Sequence, residues 1–66
     1  MNIEVNNVLT DVPEGTTVAN LIALQELPTG GLAVAVSDEL VVRGRWSEHV
    51  LREGDKVLII KAAYGG

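Results

Sequence analysis

Apolar and polar residues alternate from Met1 to Val5, with Ile3 and Val5 on one side and Asn2 and Glu4 on the other, which predicts a half-buried strand. Asn6-Asn7 is a turn pair, and the segment from Val8 to Val12 is apolar again at both ends, so a hairpin is expected before Pro13-Glu14-Gly15 closes it. The period then changes. Val18, Leu21, Ile22 and Gln25 fall at i, i+3, i+4 and i+7, with Leu24 extending the stripe, and predict a short helix over 18–26 that Thr17 caps and Pro28 ends. After a Thr29-Gly30-Gly31 loop, Leu32 to Val36 is a β-branched run apolar on both sides, the signature of an interior strand. Ser37-Asp38-Glu39 turns the chain into a brief return strand, Leu40-Val41-Val42. Periodicity is lost from Arg43 to His49, which predicts a crossover with a helical turn, anchored in the core by Val50 and Leu51. Arg52-Glu53-Gly54-Asp55 is a turn, and Lys56 to Ala62 a last strand with Val57 and Ile59 facing inward.

A helix this short does not persist alone in water, because nucleation is costly and few hydrogen bonds repay it, so its stripe must pack on the strands. The order strand, strand, helix, strand, strand, crossover, strand implies an α+β chain in which a mixed sheet of four to five strands carries one helix, the β-grasp or ubiquitin-like architecture. One such domain is expected over residues 1–62, with residues 63–66 as a flexible tail ending in Gly65-Gly66.

Composition narrows the chemistry. With 66 residues and no cysteine, the chain has one small core and no disulfide framework to support it, and the 47% of apolar residues must suffice. His49 is the only histidine, so neither a Cys/His zinc site nor a nucleophile with its own base is expected, and we expect no enzyme active site, no metal and no bound cofactor. A net charge of −4 disfavours nucleic acid and favours an electropositive protein partner. The apolar runs fall far below membrane-spanning length and no signal-peptide pattern opens the sequence, so a soluble cytoplasmic protein is expected.

The remaining polar features read as ordinary structure. Asp38 and Glu39 are adjacent carboxylates on a turn, poorly arranged to share a substrate. Gly30-Gly31 lacks the Lys-Ser/Thr of a phosphate loop, and His49 near Trp46 reads as packing and surface. Gly65-Gly66 differs in kind. A tail without Cβ atoms can thread a narrow tunnel and bring a carboxylate to a nucleotide held in another protein. There an acyl adenylate would supply the leaving group that a sulfur nucleophile such as a persulfide displaces, yielding a thiocarboxylate. Simple fraying is the competing reading of the two glycines. On the sheet face away from the helix, Leu58 and Ile60 are candidates for docking a partner, set against ordinary strand filling.

Taken in order, Glu14-Gly15-Thr16-Thr17-Val18 at the helix start, Ala33-Val34-Ala35-Val36, Arg43 with Trp46 and His49-Val50-Leu51, Gly54-Asp55-Lys56-Val57 and Gly65-Gly66 resemble the ThiS family of thiamine-thiazole sulfur carriers over nearly the whole chain. The resemblance implies that a ubiquitin-activating-like adenylyltransferase of the ThiF type uses ATP to adenylate Gly66. It further implies that a cysteine desulfurase persulfide supplies sulfur to form a C-terminal 1-thioglycine, and that a ThiG-type thiazole synthase consumes it, with Gly65 giving reach. The chain departs from the pattern in three places: Ser37-Asp38-Glu39 replaces an Asn-Gly turn, Val42 replaces a usual Pro, and Tyr64 is bulkier than the residue often found before the glycines, where it could anchor the tail. A molybdopterin-synthase small subunit is the nearest rival, although Lys61-Ala62-Ala63-Tyr64 stands where a proline-rich segment is usual there. The same pattern is also compatible with a ubiquitin-like modifier, a tRNA-thiolation carrier or a β-grasp interaction module with an inert tail.

Overall fold

The computed structural model describes residues 1–25 and 31–61. Strands β1 (Asn2–Val5) and β2 (Val8–Asp11) precede helix α1 (Val18–Leu24); β3 (Leu32–Val36) and β4 (Glu39–Val41) follow, then a 3-10 turn at Arg43–Arg45 and β5 (Lys56–Lys61). The strands form one five-stranded sheet in the order β2-β1-β5-β3-β4. The last strand is thus inserted in the middle, parallel to β1 and antiparallel to β3.

Both hairpins turn on two residues with positive φ, Asn6 (50°) and Asn7 (68°) in one, Ser37 (48°) and Asp38 (70°) in the other. A turn of this hand matches the twist of the flanking strands, and Asn and Asp tolerate it best among residues with a Cβ. The departure from Asn-Gly at Ser37-Asp38 therefore leaves the turn geometry in place. Ser37 is held from β5: its N–H donates to the Lys56 carbonyl at 2.7 Å and its hydroxyl to Asp55 at 3.3 Å.

Helix α1 starts where Thr17 predicts. The Thr17 hydroxyl accepts from the Asn20 N–H at 3.1 Å and the Asn20 side chain accepts from the Thr17 N–H at 3.2 Å, a reciprocal cap with Asn in the place Glu or Gln usually takes. The N–H groups of Val18 and Ala19 donate to the carbonyls of His49 and Trp46, both at 3.0 Å. Those donors have no partner within a helix, so the crossover completes the helix start.

Val18, Leu21 and Ile22 of α1 pack with Ile3, Val5, Val34, Val36, Val41, Val57 and Ile59 of the sheet, joined by Val12, Trp46 and Leu51. Trp46 is the crossover's main anchor, buried, with its indole N–H donating to the Val41 carbonyl at 2.9 Å.

Three readings of the sequence need correction, and one edge residue stands beside them. Leu24 is 62% exposed, because it stands more than a quarter-turn from the centre of the stripe formed by Val18, Leu21 and Ile22. Val50 is exposed while Leu51 is buried, so only Leu51 joins Trp46 as anchor. In β3 one face alone is buried: Val34 and Val36 enter the core, whereas Ala33 is exposed and Ala35 half-buried. Val8 faces the core side but lies exposed on the edge strand β2, leaving Val12 to close that end. The expected helix end at Glu26 and Pro28, the Thr29-Gly30 part of the loop, Ala62 and the 63–66 tail lie outside the described residues.

Candidate functional site

Strand β5 carries the parts of the candidate site that the structure describes. Alternation along it sends Val57 and Ile59 into the core and Leu58 (47% exposed) and Ile60 (53% exposed) to the opposite, open face, as the sequence predicts. The turn that launches the strand depends on Gly54, whose φ of 84° favours glycine, and on the Asp55 carboxylate, which accepts from the Arg52 N–H at 2.8 Å.

Register shows what surrounds Leu58 and Ile60. Ala35 lies between Leu58 and Leu40, and Ala33 pairs with Ile60, so small side chains on β3 leave the larger ones on β5 and β4 standing above the sheet. Leu40 is 66% exposed and Val42, just past β4, is 59% exposed. The result is an apolar face of Leu40, Val42, Leu58 and Ile60 over an alanine floor. Leu40, Val42 and the alanines are absent from the sequence-based site because the strand pairing that joins them to Leu58 is non-local; the period-two pattern of β4 is the one signal that could have suggested Leu40.

The other candidates fall elsewhere. His49 is half-buried and lines a surface cavity of about 700 Å³ with Val36, Ser37, Glu39, Glu48 and Arg52, while its backbone carbonyl serves the start of α1. Trp46 is turned away into the core. Asp38 occupies the positive-φ turn and Glu39 opens β4. Among the described residues no three His, Cys, Asp or Glu side chains are grouped to hold a metal ion. No helix among them is long and apolar enough to cross a membrane. Tyr64, Gly65 and Gly66 lie outside the described residues, five positions or fewer beyond the end of β5 at Lys61.

The ThiS family profile matches residues 2–66. The chain belongs to the ThiS family. It is 29% identical, over 66 residues that make up the whole of both chains, to the sulfur carrier protein ThiS of Escherichia coli (strain K12). Its fold is similar to that of the crystal structure of the thiamine biosynthesis protein ThiS from Geobacter metallireducens, with a TM-score of 0.85, full coverage of both chains and 23% identity. That likeness carries the fold, a β-grasp. The family match carries more, because it runs through Gly65-Gly66 and includes the open-face strands.

Proposed function

We propose that this chain is a sulfur carrier for thiamine biosynthesis, acting in the cytoplasm as a co-substrate and not as a catalyst. The observation that carries the reading is the family match across residues 2–66, together with full-length alignment to a sulfur carrier protein. The division of labour is a folded unit over 1–62 and a carrier tail over 63–66, with Gly66 bearing the sulfur, Gly65 giving reach and Tyr64 anchoring the tail on its partner.

The chemistry follows from the weakness of a carboxylate as an electrophile. A Gly66 carboxylate oxygen attacks the α-phosphorus of ATP held by an adenylyltransferase of the ThiF type; the new O–P bond gives an acyl adenylate and pyrophosphate leaves. The terminal sulfur of a persulfide, supplied through a cysteine desulfurase, attacks the acyl carbon and AMP leaves. A thiol then reduces the resulting acyl disulfide, taking the S–S bond and releasing the thiocarboxylate, a 1-thioglycine, for a ThiG-type thiazole synthase. Every catalytic group belongs to the partners. The chain contributes the reacting carboxylate and the apolar face of Leu58 and Ile60, extended by Leu40 and Val42, on which the partner docks.

Intact-mass analysis tests the reading. After incubation with ATP, the adenylating enzyme and a persulfide donor, the expected product has one carboxylate oxygen replaced by sulfur. A chain lengthened by one residue beyond Gly66 gives none, because the reacting group is displaced from the nucleotide. Equal conversion of the lengthened chain, or no conversion of the native one, overturns it.

A further inference from the structure

Strand β1 ends at Val5, but its partner β5 continues to Lys61. The parallel ladder between them runs from the Glu4 N–H donating to the Asp55 carbonyl at 2.9 Å to the Asn6 N–H donating to the Val57 carbonyl at 2.9 Å. Had β1 gone on, the next rungs would be the residue-6 carbonyl accepting from Ile59 and the residue-8 N–H donating to Ile59. Instead the backbone turns away at Asn6, and the Asn6 side chain makes both rungs: its Oδ1 accepts from the Ile59 N–H at 2.8 Å and its Nδ2 donates to the Ile59 carbonyl at 3.2 Å. One carboxamide stands in for the missing peptide group.

Two demands meet at this position. The residue must adopt φ of 50°, and its side chain must offer an acceptor and a donor on the carbon bonded to Cβ. Asparagine satisfies both; Asp keeps the acceptor alone, Gly keeps only the turn, and Gln is a methylene too long. In the Ser37-Asp38 hairpin, also with two positive-φ residues, the side-chain group that meets the start of β5 is a hydroxyl, which accepts from the Lys56 N–H at 3.5 Å and donates to Asp55 at 3.3 Å, so a turn of this kind does not require a carboxamide bonded to both backbone groups of one residue. The amide therefore has a purpose besides turning the chain.

We propose that Asn6 is a positioning residue for the carrier reaction: by clamping Ile59 it holds β5 on the side where β1 has ended and so directs the strand toward the tail it launches. The proposal rests on the carrier reading above. On its other edge β5 pairs with β3, where Val34 is in register with Ile59. Ile59 stands seven residues before Gly66. A strand held on both edges here leaves less of the chain to be ordered when the tail meets the nucleotide, which lowers the entropy lost in that step. Because Leu58 and Ile60 point to the open face and the clamp lies in the plane of the sheet, loss of the clamp leaves docking intact and slows the chemical step.

The test compares Asn6→Gly, Asn6→Asp and the turn control Asn7→Gly in steady-state adenylation by the matched adenylating enzyme, followed by pyrophosphate release, with thermal melts and amide exchange at Ile59 in parallel. Asn6→Gly is expected to speed Ile59 exchange and lower kcat about tenfold with KM within about twofold, Asn6→Asp to fall between it and the native chain, and Asn7→Gly to match the native chain. Native kcat in Asn6→Gly, or an equal loss in Asn7→Gly, overturns the proposal. If Asn6→Gly does not fold, Asn6→Asp decides: kcat at the native value overturns it, and a reduced kcat at unchanged KM supports it. Failure of the native chain to release pyrophosphate counts instead against the carrier reading, so the two failures are distinct.

Discussion

The two faces of the sheet draw on the same residue types and have opposite fates. On one, Val5, Val57, Val36, Val34, Ile59 and Val41 lie under the helix and are almost wholly buried; on the other, Leu58, Ile60 and Leu40 remain about half or more exposed. The difference is not hydrophobicity but coverage. A single seven-residue helix can shield one side of a five-stranded sheet, and the chain is too short to provide a second layer. Apolar side chains on the covered face stabilise the fold, while those on the open face remain wet and contribute little to it. Composition alone therefore says nothing about which valine or leucine is covered and which stays exposed.

Substitutions can break or sharpen this contrast. The largest effect is expected on the covered face, where Leu21 is fully buried: Leu21→Ala should cost about 3 kcal/mol in denaturant unfolding, from lost transfer energy and the cavity left behind. Next comes the crossover. Trp46→Phe removes the indole donor to the Val41 carbonyl and some buried area, and should cost about 2 kcal/mol by the same measurement. Thr17→Ala deletes one half of the reciprocal helix cap and should cost about 1 kcal/mol, read as a melting temperature lower by about 4–8 °C. The smallest effect on stability is expected on the open face: Leu58→Thr and Ile60→Thr should each change it by no more than about 0.5 kcal/mol, since both sites are already wet and threonine suits a strand. The same two variants should weaken association with the adenylating partner about tenfold in a binding titration, the reverse of Thr17→Ala. An open-face variant that destabilises the chain as much as Leu21→Ala yet binds normally would remove the contrast.

Much of the fold was legible because it is local. Ile3 and Val5 alternate with polar neighbours, Thr17 precedes a helical stripe, and Gly54 stands where positive φ is needed, so each element carries its own signal. The readings that failed concern positions where a neighbour decides. Leu24 and Val50 have core-type side chains at places that nothing covers, and Ala33 belongs to an apolar run whose second face meets no layer. Of the site, Leu58 and Ile60 could be read from alternation on β5. The placing of Leu40 and Val42 beside them and the carboxamide clamp of Asn6 could not, because β4 and β1 reach β5's neighbourhood only through non-local pairing.

By itself the sequence determined the elements, their order and the two hairpin turns, since hydrophobic period, turn chemistry and residue order are properties of short stretches. Only the tertiary structure decided that β5 lies between β1 and β3, that the crossover completes the start of α1, and that Asn6 supplies the rungs a departing strand leaves empty. Those outcomes depend on which backbone donors and acceptors find one another across some fifty residues of chain, a matching that no local window contains.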